Sequence, residues 1–437
     1  MKRKFFGLFL GIISFVDLSA QEIKLEEVVQ LALQKNYDVR VIQKTSDIAS
    51  NDNRFAFGAF IPLLNANGSY LKNTNDSHNI TFADVETIRE GARSTQTIGS
   101  LQLIWTLFDG TRMFATRKRI EELAVLGEAN VRNQMMNTTA SVMTTYYNII
   151  RQKQQLKAIE ELMAVSVERV KLAEKKLQVG TGGKPELLQA KVDLNAQRTA
   201  VLQQQTLIQQ LKDQLNGLLG MALPDQYEVT DTIPINLLLT MEEIITNIEN
   251  TNQTLVVAKK NIDVANLVLH ENRAGRSPIL NFVSAYNYNQ NENELQTSPV
   301  AQKYSRNKGY NYGLTVSIPI MNAMNVNRLI AQAKINIDRQ KLIYDQQLTL
   351  AVVGVRNAFV NYDNAKKALL IEEENILLAR ENVMIALEGF KRGITTYIEL
   401  RTAQQSLADA YNRLIAARYL AKTSEVELLR LKGSLLN

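Results

Sequence analysis

The sequence predicts a mainly helical protein with a small membrane β part, built from a duplicated helix–strand–strand–helix–helix unit. Three observations point there. The chain repeats itself: Gly180, Glu186, Leu187, Ala190 and Leu194 return as Gly393, Glu399, Leu400, Ala403 and Leu407 at a constant offset of 213 residues. Leu215, Leu218 and Gly220 return as Leu428, Leu431 and Gly433, and Ile61-Pro62-Leu63-Leu64-Asn65 returns as Ser277-Pro278-Ile279-Leu280-Asn281. A duplication of this length means two copies of one structural unit. Long stretches poor in proline and glycine read as helices, and four segments of about ten residues with period two read as strands.

Composition narrows the function. The chain has 437 residues and a net charge of +6, spread without a block of like charges. That argues against a nucleic-acid-binding tail. There is no cysteine, which removes thiol catalysis, disulfides, most structural zinc sites and the lipid-bearing Cys of an exported lipoprotein. Residues 1–20 read as a secretory signal peptide. Lys2, Arg3 and Lys4 precede the apolar run from Phe5 to Val16, and Leu18-Ser19-Ala20 offers cleavage before Gln21. No later stretch approaches the ~20 apolar residues of a membrane helix, so any membrane crossing falls to the strands.

The first repeat spans 21–220 and the second 221–437. Helices are expected over 24–60 and its copy 240–274. Longer ones follow over 111–178 and 324–391, neither of which contains proline. At ~1.5 Å per residue each of these would run about 100 Å. Helices over 184–219 and 397–432 complete each unit. Leu187, Leu194, Val201, Ile208 and Leu215, and likewise Leu400, Leu407, Leu414, Ala421 and Leu428, recur every seven residues. Such a stripe packs long helices along a slightly wound seam.

The strands are expected at about 63–73, 96–107, 279–290 and 309–320. Leu101, Leu103, Trp105 and Leu107 alternate with Ser100, Gln102, Ile104 and Thr106. Leu314, Val316, Ile318 and Ile320, with Tyr310 and Tyr312, alternate with small and polar residues. The intervening polar segments, 73–95 and 290–308, read as exposed loops, with aromatics gathered near them. Two readings stay open from the pattern alone: a soluble sheet packed on its own helices, or lipid-facing strands. In a membrane every backbone polar group must be paired, and single-chain barrels have at least about 8 strands. Four strands would then need other copies of the chain to close, with the polar face lining a pore.

These features together resemble the TolC family of outer-membrane efflux proteins over residues 22–435. The resemblance rests on the repeated unit and on two boxes. One is Leu107-Phe108-Asp109-Gly110 at a strand-to-helix junction, with the degenerate copy Ile318-Pro319-Ile320-Met321-Asn322. The other is the hairpin Val179-Gly180…Glu186-Leu187-Leu188-Gln189-Ala190, repeated as Arg392-Gly393…Glu399-Leu400-Arg401-Thr402-Ala403. The resemblance implies a homotrimer whose 12-stranded barrel in outer-membrane lipid continues into a periplasmic α-helical barrel. It further implies a passive exit duct of a Gram-negative bacterium, for efflux or type I secretion. A periplasmic adaptor (membrane fusion) protein and an inner-membrane pump would open it at the tip. Tip and docking residues would be Gly180, Thr181, Gly393, Thr395 and Thr396, and gate candidates Glu399, Thr402 and Glu186.

The hairpins also have a plain structural reading. Gly180 and Gly393 suit the left-handed turn that ends a helix. Thr396-Tyr397-Ile398-Glu399 reads as a capping box, with Gly183-Lys184-Pro185-Glu186 as its poorer copy. Capping alone, and capping combined with gate lining, both remain open for these acids. Gly180-Thr181-Gly182-Gly183-Lys184 fails the phosphate-loop pattern, since Gln178 and Pro185 stand where glycine and Ser/Thr belong. No catalytic, cofactor or metal site is expected; only His78 and His270 exist, without an evident third ligand. The rival to a duct is an exported coiled-coil scaffold without a pore.

Overall fold

The computed structural model describes residues 22–221, 223, 227–230, 232–294 and 302–436. The expected signal peptide and its cleavage point lie outside the described residues. In chain order, β1 (Glu22–Ile23), α1 (Leu25–Lys35) and α2 (Tyr37–Phe55) lead through a 3-10 turn to β2 (Leu63–Ile80) and β3 (Glu86–Phe108). The helices α3 (Arg112–Gln178) and α4 (Lys184–Leu219) close the first copy. The second runs through β4 (Glu228–Val229), α5 (Met241–Ile245), α6 (Ile248–Thr251) and α7 (Gln253–Ala274) to β5 (Ile279–Asn293) and β6 (Tyr304–Ser317). It ends on α8 (Asn325–Lys391) and α9 (Tyr397–Lys432). The chain divides into two compact units. One holds the chain up to Gln43, Asn130–Val256 and Gln347 onward; the other holds Lys44–Ala129 and Val257–Gln346.

In the first unit, the expected continuous helices over 24–60 and 240–274 are broken, and asparagine is the cause. The Asn36 side chain accepts from Val39 N at 3.0 Å and donates to Leu218 O at 2.7 Å. Asn252 does the same in the second copy, accepting from Leu255 N at 3.2 Å and donating to Leu431 O at 2.9 Å. Each Asn caps the helix that follows it and satisfies a carbonyl near the end of α4 or α9, so it competes with the continuous ladder. Around these joints, Val28 and Ala32 of α1 pack with Val142, Tyr146 and Ile149 of α3 and Leu211, Leu215 and Leu219 of α4. A second core joins Ala158 and Leu162 of α3, Ile376, Val383 and Phe390 of α8, and Leu400, Leu407 and Leu414 of α9. The seven-residue stripe is buried along the whole of α9, whereas Val201 and Ile208 of α4 are half-buried.

In the second unit, β2-β3-β5-β6 form one antiparallel sheet whose outer strands β2 and β6 have no ladder partner on their far side among the described residues. All four strands are longer than expected. Most of 73–95 continues the ladder instead of looping, with a turn at residues 81–85, and in 290–308 the residues 290–293 and 304–308 do the same. Beyond about residue 73 both faces turn polar, so the period-two signal fades while Thr, Ser and Asn keep the backbone paired. His78 accordingly lies on β2 beside Glu86, at 2.6 Å, and not in a loop. Ile318 and Ile320 fall beyond β6, which ends at Ser317; Pro319 has no N–H to continue a ladder. Leu107 sits in a bulge, and Phe108 takes the next place opposite Leu280.

Candidate functional site

The register of the sheet sorts its side chains into two faces. Leu64, Leu103, Ser284 and Tyr312 form one cross-strand row; Ala66, Leu101, Tyr286 and Tyr310 form the next; Trp105, Phe282 and Leu314 form another. The opposite face carries Asn65, Gln102, Ala285 and Asn311, then Asn67, Ser100, Asn287 and Gly309. Leu314 and Val316 are each 62% exposed, so no helix of their own unit covers them among the described residues. The soluble-sheet reading required such a cover. One face is therefore mainly apolar and bare, and the other, apart from the row of Leu63, Ile104 and Val283 and from Ile98 and Leu71, is polar and nearly free of charge.

The junction after β3 explains the Phe-Asp-Gly box. The Asp109 carboxylate accepts from Met113 N at 3.1 Å and caps α3. Gly110 has φ +73°, and a Cβ there would collide with Ser277.

At the far end of α3 and α8 the two hairpins are built alike. Gly180 (φ +76°) and Gly393 (φ +75°) take the left-handed turn. Thr181 N bonds Lys176 O at 2.9 Å, and Ile394 N bonds the equivalent Gly389 O at 2.9 Å. The second hairpin closes with a full capping box: Glu399 N donates to Thr396 Oγ1 at 3.3 Å and Thr396 N to Glu399 Oε2 at 2.7 Å. The backbone bond from Thr396 holds the Glu399 carboxyl below the usual range. No such box forms at the first hairpin, because its N-cap is Gly183, which has no side chain. Glu186 instead has one buried carboxylate oxygen with no hydrogen-bond partner among the described residues. Glu399 and Thr402 are exposed one turn apart on α9, and Thr395 and Thr181 flank the two turns.

The structure also assembles a polar cluster that the sequence reading missed. Arg169 of α3 is 1% exposed. It bonds Asp193 Oδ2 of α4 at 2.6 Å and Gln404 Oε1 of α9 at 2.8 Å. Tyr397 O–H donates to the same Asp193 oxygen at 2.8 Å, Gln189 donates to Oδ1 at 2.9 Å, and Arg401 stands 3.6 Å away. Burial would raise the Asp193 carboxyl, but the bonds from Tyr397 and Gln189 and the charges of Arg169 and Arg401 outweigh it and hold the group below its ordinary value. Burial and the bond to Asp193 push the Tyr397 phenol up to about 12. The sequence did carry a signal: Arg169 occupies the helical spacing of Leu162, Ser166 and Ala173, all buried. A charge in such a stripe calls for a partner.

Among the described residues no helix is long and apolar enough to cross a membrane, and no group of three or more His, Asp or Glu could hold a metal ion. The profile of the outer membrane efflux protein family matches residues 28–221 and 244–434. The outer membrane protein TolC of Salmonella enteritidis is 20% identical over 432 residues, covering 98% of this chain and 85% of that protein. The alkaline protease secretion protein AprF of Pseudomonas aeruginosa is 19% identical over 330 residues, 74% of this chain and 66% of the relative. Two solved structures share the fold. The outer membrane protein VceC of Vibrio cholerae matches with a TM-score of 0.77 at 17% identity, over 94% of this chain and 96% of that one. The CmeC outer membrane channel of Campylobacter jejuni matches with a TM-score of 0.78 at 18% identity, over 94% and 85%. The chain belongs to the outer membrane efflux protein family: it is an outer-membrane exit duct that reaches into the periplasm.

Proposed function

We propose that three copies of this chain close one 12-stranded barrel, each giving the four strands β2, β3, β5 and β6, and that cargo passes inside. The observation that carries this reading is a sheet with two free edges and an apolar face bare to its surroundings. Lipid tolerates such a face but not the unpaired edges, so the edges must meet those of other copies. Helix surfaces point the same way. Ile371, Leu378 and Ile385 of α8 follow a seven-residue spacing and are 60%, 58% and 64% exposed, an apolar stripe of the kind that marks an interface. A poreless scaffold would leave both surfaces in water. The test is the mass of the detergent-purified particle: three chains support the closed barrel, and a monodisperse single chain sinks it.

Opening is assigned to the two hairpins. Gly180, Thr181, Gly393, Thr395 and Thr396 shape the tips and would meet the adaptor, while Glu399 and Thr402 of the second hairpin and Glu186 of the first would line the closed end. Three converging carboxylates repel one another and attract cations, so divalent block of single-channel current should weaken in Glu399→Gln. Unchanged block would remove Glu399 from the gate and leave it as a cap. The cluster of Arg169, Asp193, Tyr397 and Gln404 ties α9 to α3 and α4 just behind the tips, and would hold them together until the partners bind.

A further inference from the structure

We propose that Lys308 and Arg306 on β6 form a docking site for the phosphorylated head group of an outer-leaflet lipid. Alternate residues of β6 share a face, and read from the helical end outward they change character in order. Val316 and Leu314 are aliphatic, Tyr312 and Tyr310 are aromatic with stacked rings 6.5 Å apart, and Lys308 and Arg306 are basic. At ~3.3 Å per residue and the usual strand tilt, Lys308 lies roughly 20 Å above Val316. An outward apolar band is about 25 Å tall with an aromatic girdle at its border, so the two cations fall at head-group level.

Two further facts set this pair apart from scattered surface charge. The same stretch of β6 places Asn307, Gly309 and Asn311 on the opposite face, so its positive charge is confined to the apolar side of the sheet. Neither cation pairs with a carboxylate among the described residues. Arg306 Nε donates to the Tyr304 hydroxyl at 2.5 Å with its guanidinium 5.4 Å from that ring. Only Nε is engaged by the Tyr304 hydroxyl, and the terminal nitrogens make no hydrogen bond among the described residues, which suits an arginine to bidentate phosphate recognition. Next to the pair, Tyr288 lies opposite Lys308 on β5 and offers an amphipathic ring to the lipid backbone. The Arg93–Glu294 pair stands farther out, at 3.9 Å, and cancels itself. The site rests on the lipid facing of the apolar side proposed above, and not on how many copies close the barrel.

The experiment is native mass spectrometry of the full chain purified in detergent. Micelles are doped with bisphosphorylated lipid A, with the same lipid stripped of phosphate, or with inorganic phosphate alone. The wild type should retain the phosphorylated lipid at least tenfold more than the stripped form, and inorganic phosphate should not be retained. The double variant Lys308→Gln, Arg306→Gln should lose that preference, while Lys334→Gln on α8 keeps it. Equal retention of both lipids by the wild type, undiminished preference in the double variant, or retention of inorganic phosphate each overturns the proposal. Should the double variant fail to assemble, raising salt from about 0.05 to about 0.5 M on the wild type decides. Screening at that ionic strength must erase the preference if it is electrostatic, and its persistence refutes the site.

Discussion

Replacing Asp193 by Asn tests the tie behind the tips most directly. The substitution keeps the shape and leaves an acceptor for Gln189 and Tyr397, yet removes the counter-charge of Arg169. That guanidinium side chain is 2% exposed against 18% for Asp193, so it cannot turn to water for compensation. Leaving one ion of a buried pair alone costs about 3–5 kcal/mol. The partial exposure of Asp193 and the retained acceptor put the loss near the low end, ~3 kcal/mol, of which the Tyr397 bond to a charged acceptor accounts for part. If the tie exists only with the tips together, opening becomes about 150-fold more favourable. Hydrogen exchange of the α9 amides from Tyr397 to Gln405 should accelerate by that order, and single-channel current should show longer open dwells. Removing both ions, as Arg169→Met with Asp193→Leu, should cost far less than the single change, because no charge is stranded. Exchange unchanged in Asp193→Asn, or a double variant as damaged as the single one, would refute the reasoning.

Further expectations concern the sheet, the helix cap and the titration of the cluster. Leu314→Arg should cost roughly 2–4 kcal/mol and sharply reduce assembly in the outer membrane, since Arg would face hydrocarbon. Thr315→Arg, on the opposite face opposite Asn281, should assemble and alter conductance; equal assembly of the two variants contradicts the facing. Thr396→Ala should destabilise the start of α9 by ~1 kcal/mol, seen as faster exchange at residues 397–400 with no change at 184–187, where no box exists. The cluster also titrates at both extremes. The depressed Asp193 carboxyl stabilises the tie above the ordinary carboxylate range and loses its effect as pH falls through its lowered value. The raised Tyr397 phenol stabilises fully below its ordinary 10.0 and loses its effect as pH rises toward about 12. Open probability should rise at both ends, and Tyr397→Phe should abolish the alkaline limb alone.

Much of the architecture was legible because its causes are local. The hairpin glycines, the capping box at Thr396 and Glu399, and the limits of α4 and α9 follow from turn geometry and side-chain reach within four residues. The alternation of Tyr310, Tyr312, Leu314 and Val316 marked the apolar face of the sheet for the same reason. The breaks at Asn36 and Asn252 were not legible, because a buried Asn bonds carbonyls of Leu218 and Leu431, each about 180 residues away. The outer halves of the strands were hidden by a different cause. Where both faces meet water, no alternation is selected, and only ladder pairing keeps the chain extended.

The least legible feature, the inequality of the two copies, bears most on mechanism. Duplication gives α4 and α9 the same stripe, yet Leu400, Leu407, Leu414, Ala421 and Leu428 are all buried within the chain, while Leu187, Val201 and Ile208 are only half-buried. The small residues explain it. Ala403, Ala410, Ala417 and Ser424 accompany the second stripe and let α3 and α8 approach, whereas Gln197 and Gln204 stand at the matching places in the first. The Gln204 side chain bonds Gln152 Oε1 at 2.7 Å, so the α4–α3 seam has a polar stretch between the apolar contacts of Leu194 and Leu211, where the matching stretch of α9 is apolar. Polar seams separate at lower cost than apolar ones, since water replaces the lost bonds. A hairpin that must move without unfolding is best built with one such seam. The polar cluster that bridges it to α9, at Arg169, Asp193 and Tyr397, is then the point where a small push has the largest effect.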